Sequence, residues 1–240
     1  MRRYGLIGRK LGHSLSQELF EAQGFKDACY GLYEMERLDG LRQWVEKEHI
    51  CGFNVTIPYK EAIIPLLDEI DAVAKEVGAV NVVTVKDGRL KGYNSDVIGF
   101  EKLLERALNG KTVDHALVLG TGGASKAVQY VLKRKGIPFS TVSRCAEKGD
   151  LTYETLNDDI LRQNHLIINT TPLGMAPHID DFPDIHYQAL GNKHILIDLI
   201  YNPKETAFME LGKSWGAKAF NGMTMFEEQA KRTWEIFNGL

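Results

Sequence analysis

Four stretches of this chain carry residues whose types and spacing could do chemistry. The first is Leu119-Gly120-Thr121-Gly122-Gly123-Ala124-Ser125. It follows an apolar run, His115 to Leu119, that reads as a buried strand. It opens a helical pattern in which Ala124, Ala127, Val128, Val131 and Leu132 share one face. Strand, glycine turn and helix form the context of a dinucleotide site: glycine lets backbone N–H groups approach a pyrophosphate at the positive helix end. Ser125 stands where the usual third glycine would be, so a plain glycine turn is the competing reading. The second stretch is Asn54-Val55-Thr56-Ile57-Pro58-Tyr59-Lys60, which ends a strand and starts a helix, with Pro58 in the first turn. A cation there opposes the helix dipole. Lys60 is thus either a solvated charge or an amine placed to exchange a proton with a substrate hydroxyl. The third is Asp96, after a strand and before the helix Val97 to Ala107. It reads as an N-cap, as a carboxylate partner of Lys60, or as both. The fourth is His13-Ser14-Leu15-Ser16-Gln17. Its two hydroxyls at a helix start suit a carboxylate, although Ser14 with Gln17 also fits a capping box.

The helix after the glycine loop ends at Gly136, with Pro138 beyond. A short strand, Phe139 to Val142, then reaches Ser143-Arg144, with Lys148 a turn later. A site for NAD places an acid near this point to accept from the ribose 2′-OH. Here two cations stand instead, which suits a 2′-phosphate and predicts NADP. The competing reading is two ordinary surface charges.

These residues must be positioned by an alternating set of elements. Strands are expected at Tyr4 to Ile7, Gly31 to Met35, Gly52 to Val55, Val80 to Val85, Ala116 to Leu119, Leu166 to Asn169 and Ile195 to Leu199. Helical patterns include Leu38 to Glu48, Lys60 to Ile70 and Val97 to Ala107. Asp87-Gly88 marks a hairpin. Such alternation predicts an α/β fold with largely parallel sheets. The 240 residues suffice for two small domains. A net charge of −3 and 25% charged residues give no basic patch for nucleic acid. No apolar run is long enough to span a membrane, and Met1-Arg2-Arg3 leads straight into a strand. Cys29, Cys51 and Cys145 are scattered, which suits a reducing compartment and predicts no metal site. A cytoplasmic protein is expected.

Eight motifs in this order resemble the shikimate dehydrogenase family. They are Gly12-His13-Ser14-Leu15-Ser16, Asn54 to Lys60, Gly78-Ala79-Val80-Asn81 and Asn94-Ser95-Asp96-Val97-Ile98-Gly99-Phe100, then Leu119 to Ala124, Asn169-Thr170-Thr171-Pro172-Leu173-Gly174-Met175, Asp198-Leu199-Ile200-Tyr201-Asn202-Pro203 and Asn221-Gly222-Met223-Thr224-Met225. The resemblance implies NADPH-dependent, reversible reduction of 3-dehydroshikimate to shikimate, on the route to chorismate and the aromatic amino acids. It implies that Ser14 and Ser16, with Thr56 and Tyr201, hold the substrate carboxylate. Asn81, Asp96 and Gln229 would bind the ring hydroxyls, and Lys60 with Asp96 would be the acid/base pair. Gly120, Thr121, Gly122, Gly123 and Ala124 would cradle the pyrophosphate. Ser143, Arg144 and Lys148 would clamp the 2′-phosphate, and Leu199 and Gly222 would lie near the nicotinamide. It also implies a mostly parallel α/β substrate domain, residues 1–96, completed by the C-terminal helix, 221–240. A Rossmann domain, 97–220, follows, with a cleft between them. The family includes monomers and dimers.

The chain departs from the family pattern in places. Gln17 and Phe20 replace a usual Pro and His, and Ser95 replaces Thr. Cys145 replaces Thr and Lys148 replaces Arg in the clamp. Lysine meets phosphate without the guanidinium fork, so a weaker preference for NADP over NAD is expected. Other dehydrogenase classes fit worse: no Tyr-x-x-x-Lys spacing occurs, and of the seven histidines only His13 lies in a substrate motif. A quinate/shikimate dehydrogenase of broader specificity is the nearer alternative. A catalytically silent NADP-binding regulator is the farther one, and the presence of Lys60 and Asp96 argues against it.

Overall fold

The computed structural model describes residues 1–12, 15–22 and 27–240. The chain divides into two compact units, one of 1–95 with 229–240, the other of 96–228.

In the first unit, strands β1 (Arg2–Gly8), β2 (Ala28–Glu34), β3 (Ile50–Val55), β4 (Glu69–Ile70), β5 (Val82–Lys86) and β6 (Arg89–Tyr93) form one sheet in the order β2-β1-β3-β5-β6-β4. β1 pairs in parallel with β2 and β3, and β4 pairs in parallel with β6. Only β5 runs against its neighbours. The reversal comes from the Asp87-Gly88 turn, where both residues take positive φ (51° and 74°), as a two-residue hairpin turn requires. Helices α1 (Leu15–Glu21), α2 (Leu41–Lys47), α3 (Tyr59–Ala62) and α4 (Ala72–Val77) connect the strands.

The expected helix from Lys60 to Ile70 is not formed. α3 stops at Ala62, Ile64–Leu66 makes a single 3-10 turn around Pro65, and Glu69–Ile70 is strand β4. Pro65 lacks the N–H that a continuing helix needs. Pro58 sits at the N-cap of α3, after a cis bond from Ile57, rather than inside the first turn. Two hydrophobic clusters cover this sheet, one centred on Phe53, Ile7 and Ile63 and the other on Tyr4, Phe20 and Tyr30. Phe20, one of the departures from the family pattern, is buried at 3% exposure. Its ring lies 4.5 Å from that of Trp234 and 5.3 Å from that of Tyr30.

The second unit begins with α5 (Asp96–Leu108). Strands β7 (Ala116–Leu119), β8 (Phe139–Ser143), β9 (Leu151–Thr152), β10 (Leu166–Asn169), β11 (Ile195–Asp198) and β12 (Lys218–Phe220) follow, with α6 (Gly123–Arg134), α7 (Asp158–Gln163) and α8 (Ala207–Ser214) between them. α9 (Met223–Phe237) starts here, and from Gln229 onward belongs to the first unit. All pairings are parallel, in the order β12-β11-β10-β7-β8-β9. Counted along the chain this is the Rossmann order 3-2-1-4-5-6, with its switch point between β7 and β10. Both of those strands are buried along their whole length, as a sheet covered on two faces demands. Among the described residues no helix is long and apolar enough to cross a membrane.

Candidate functional site

At the switch point, β7 runs into the glycine loop. Gly120 takes φ +105°, and a Cβ there would stand 2.7 Å from Thr170 Oγ1, so only glycine fits. Gly122 is the N-cap of α6; it carries no side-chain cap, and a Cβ on it would meet nothing within 4 Å. By contrast α4, α7 and α8 are capped by the side chains of Asp71, Asn157 and Thr206. The start of α6 therefore presents unpaired N–H donors and open space, with no acidic residue in its first turn. This cradle fits a pyrophosphate. Thr121, Gly123 and Ala124 flank it, half-buried.

Ser125, the departure from the glycine fingerprint, is fully buried. Its hydroxyl donates to Gly120 O at 2.7 Å and accepts from Gln129 Nε2 at 2.9 Å. The serine ties the loop to its own helix. It also takes the buried place in the first turn expected for Ala124, which is half-buried.

β8 ends at Ser143, whose hydroxyl faces inward and accepts from Cys145 N at 3.1 Å. Lys148 N donates to Cys145 O at 3.0 Å, which rounds the turn. Asp150 closes it: its Oδ2 accepts from Thr141 N and Thr141 Oγ1, both at 2.8 Å, and these bonds hold its carboxyl below the usual range. Arg144 and Lys148 are exposed on this turn, and neither forms a salt bridge among the described residues.

A third loop follows β11. Asp198 is fully buried and accepts from Asn169 Nδ2 (3.1 Å), Ile200 N (3.0 Å) and Thr206 Oγ1 (2.7 Å). Burial dominates these bonds and pushes its carboxyl up to about 6. The carboxylate thereby joins the ends of β10 and β11. Leu199 and Gly222 come together: a Cβ on Gly222 would lie 2.0 Å from Leu199 O, so α9 starts hard against this loop. Tyr201 stacks on Phe226 with centroids 4.3 Å apart, and burial raises its phenol above the ordinary value.

In the first unit, Thr56 N donates to Ile7 O at 2.9 Å, which pins the turn after β3 to β1. Val80 N donates to Lys60 O at 2.7 Å, which links the lysine's backbone to the residue before Asn81. Lys60 is half-buried, on a helix of only four residues. A single turn carries little macrodipole, so its placement rests on these backbone bonds rather than on the dipole argued from the sequence. Asn81 is buried, and Ser95 holds both ends of its amide: Ser95 N donates to Asn81 Oδ1 at 2.7 Å, and Asn81 Nδ2 donates to Ser95 Oγ at 3.0 Å. Ser95 Oγ also reaches Gln229 Oε1 at 3.3 Å. Asp96 follows directly as the first residue of α5, inside the helix rather than ahead of it, and is 4% exposed. Ser16 lies half-buried in α1, while Gln17 Nε2 donates to Glu21 at 3.0 Å. Ser14 and His13 lie outside the described residues.

The first unit thus gathers Asn81 and Gln229 on Ser95. The second gathers Leu199 with Gly222, and Ser143, Arg144 and Lys148 on one turn. Sequence reasoning passed over two hubs, Ser95 and Asp198. Both sat inside quoted motifs; for Asp198 the available signal was an acid closing an apolar strand, while Ser95, two residues past β6, carried none of that kind.

Residues 6–83 match the family model described as the shikimate dehydrogenase substrate binding domain. A shikimate dehydrogenase (NADP(+)) of Clostridium beijerinckii is 40% identical, over 99% of this chain and 92% of that protein. The crystal structure of shikimate dehydrogenase 1 from Peptoclostridium difficile superposes with a TM-score of 0.89 at 36% identity, covering 100% of this chain and 92% of that one. The Thermus thermophilus shikimate 5-dehydrogenase in complex with NADP(H) and shikimate gives 0.84 at 27% identity, covering 100% and 94%. With sequence relatives matched over nearly their whole length and a Rossmann order beside the substrate-domain match, the chain belongs to the shikimate dehydrogenase family.

Proposed function

We propose that this protein catalyses the reversible, NADP-dependent interconversion of shikimate and 3-dehydroshikimate. The observation that carries the reading is the 40% identity over 99% of the chain to a shikimate dehydrogenase (NADP(+)), with Lys60 and Asp96 both in place. NADP, when bound, supplies the hydride acceptor for shikimate oxidation and, reduced, the donor for the reverse. The α6 start with Gly120, Thr121, Gly122, Gly123 and Ala124 holds its pyrophosphate. Arg144 and Lys148 take the 2′-phosphate on the turn shaped by Ser143, and Leu199 and Gly222 border the nicotinamide.

The remaining chemistry is a proton at the C3 oxygen. The Lys60 amine takes that proton as shikimate is oxidised and returns it as an ammonium in the reverse direction. Asp96 orients the same hydroxyl. Asn81 and Gln229 bind the ring hydroxyls. Ser14, Ser16, Thr56 and Tyr201 receive the carboxylate. The Tyr201 phenol is protonated at neutral pH like any tyrosine, hence a hydrogen-bond donor, and its burial reinforces this. The protein works on this small molecule in the cytoplasm, as a monomer or homodimer; residues 1–96 and 221–240 mainly serve substrate and 97–220 mainly cofactor, with Tyr201 and Gly222 each contributing to the other ligand.

The test is the rise of the NADPH absorbance band with purified protein, NADP and shikimate, repeated with quinate and with NAD. Reduction confined to shikimate with NADP is expected. Comparable rates with quinate would move the protein to the broader-specificity branch. No reduction with any pair, despite NADP binding, would replace the enzyme by a silent NADP-binding module.

A further inference from the structure

A continuous chain of polar side chains runs through the first unit behind the residues assigned to substrate. Tyr30 OH donates to Asn54 Oδ1 at 2.8 Å. Asn54 Nδ2 donates to Thr233 Oγ1 at 3.3 Å and to Asn81 O at 3.2 Å. Thr233 Oγ1 donates to Gln229 O at 2.9 Å and lies 3.1 Å from Ser95 Oγ. The two hydroxyls sit in the interior, Ser95 at 0% and Thr233 at 2% exposure.

Proton accounting gives each hydroxyl a definite task. The Ser95 oxygen accepts from Asn81 Nδ2, and its one proton has Gln229 Oε1 and Thr233 Oγ1 within reach. Thr233 spends its own proton on the main chain of Gln229, so its oxygen is an acceptor toward Ser95 and Asn54. Thr233 therefore offers the Ser95 hydroxyl a second acceptor and fixes that side chain with its oxygen toward Asn81 Nδ2 and its one proton shared between Thr233 Oγ1 and Gln229 Oε1. Its own hydroxyl holds the Gln229 main-chain carbonyl one turn back on α9.

We propose that Thr233 is a positioning residue for substrate recognition: acting through Ser95, it sets the Asn81 and Gln229 amides that grip the ring hydroxyls. The inference rests on the substrate roles proposed above for those two amides. It adds a residue on α9 that touches no substrate and appears in none of the quoted motifs.

Thr233→Val tests it. Valine matches threonine in shape but sets a methyl 3.1 Å from Ser95 Oγ, closer than carbon and oxygen sit without a hydrogen bond. Ser95 Oγ must move away, so Asn81 Nδ2 and Gln229 Oε1 lose their contact with it, while Asn81 Oδ1 keeps its bond from Ser95 N. The expected result is a KM for shikimate raised about tenfold, with KM for NADP unchanged and kcat much less affected. Thr233→Ser, which keeps the hydroxyl, restores the wild-type KM. Thr233→Ala removes the hydroxyl without the intruding methyl and falls between; it carries the test if the valine protein does not fold. A wild-type KM for shikimate in the valine or alanine protein overturns the proposal. So does an equal loss for both substrates, which marks a merely structural role. Failure of the wild-type protein to oxidise shikimate instead overturns the proposed function, and this inference with it.

Discussion

Lys60 and Arg144 make separable contributions at the scale of single residues. Lys60 rides on a four-residue helix whose backbone is bonded to the Asn81 loop, so removing its side chain leaves the scaffold in place. Lys60→Ala is expected to lower turnover roughly a hundredfold or more, the range for loss of a general acid/base, with NADP affinity unchanged. Steady-state rates beside a fluorescence titration of NADP check this, and near-normal turnover would remove Lys60 from the proton path. Arg144 projects from a turn closed by Asp150 and Thr141, with no salt bridge among the described residues competing for its guanidinium. Arg144→Ala should raise KM for NADPH more than KM for NADH, because only the former carries the phosphate that a guanidinium fork recognises. Equal effects on both cofactors would mean that the turn does not read the 2′-phosphate.

Individual elements depend on a few buried polar residues that tie strand ends together, and Asp198 is the clearest. It joins β10, β11 and the start of α8 through three hydrogen bonds, and burial raises its carboxyl to about 6. The folded protein thus holds a proton there that the unfolded chain releases near pH 4. Below that pH the group favours folding; as pH rises from about 4 to about 6 the benefit is lost, and above 6 its ionisation costs stability. Asp198→Asn keeps an acceptor for Asn169 and Ile200 and lets Thr206 turn its hydroxyl around. Its melting temperature should therefore gain on wild type by several degrees between pH 4.5 and 7.5; a constant difference across that range would refute the assignment. The strands that Asp198 joins were legible from sequence: Leu166 to Asn169 and Ile195 to Leu199 each open on three apolar residues in a row. The Lys60 to Ile70 helix was misread because its apolar spacing outlasts the structure, which Pro65 interrupts. The glycine loop and the basic turn were visible because backbone approach and charge leave residue-type signatures. The Ser95 and Asp198 hubs were not, because a hydrogen-bond network is set by which strand ends meet, and spacing along one strand does not encode that.

The two units differ in how the whole chain completes them. The second, 96–228, is continuous and owns a core of Leu117, Leu119, Ile167, Leu196 and Phe208. The first needs the last twelve residues, 229–240. There Trp234 and Phe237 close over Tyr4, with Phe237 stacked on it at 4.6 Å and Trp234 edge-on at 5.7 Å, while Trp234 also meets Phe20. Gly52 on β3 makes room: a Cβ there would lie 2.7 Å from the Phe237 ring. Both rings are half-buried against the Tyr4–Phe20–Tyr30 cluster, and losing two such contacts is large beside the about 5–15 kcal/mol of an entire domain. Deleting 229–240 also removes Thr233 and Gln229 from Ser95 and leaves buried polar groups unpaired. The truncated chain, 1–228, should therefore lose the first unit and keep the second. Hydrogen exchange reads this directly: amides of β1 and β2 are expected to exchange freely, while those of β7, β10 and β11 stay protected. Protection of β1 and β2 as strong as in the full chain would mean that the first unit is self-sufficient and that the C-terminal half of α9 serves only to carry Gln229.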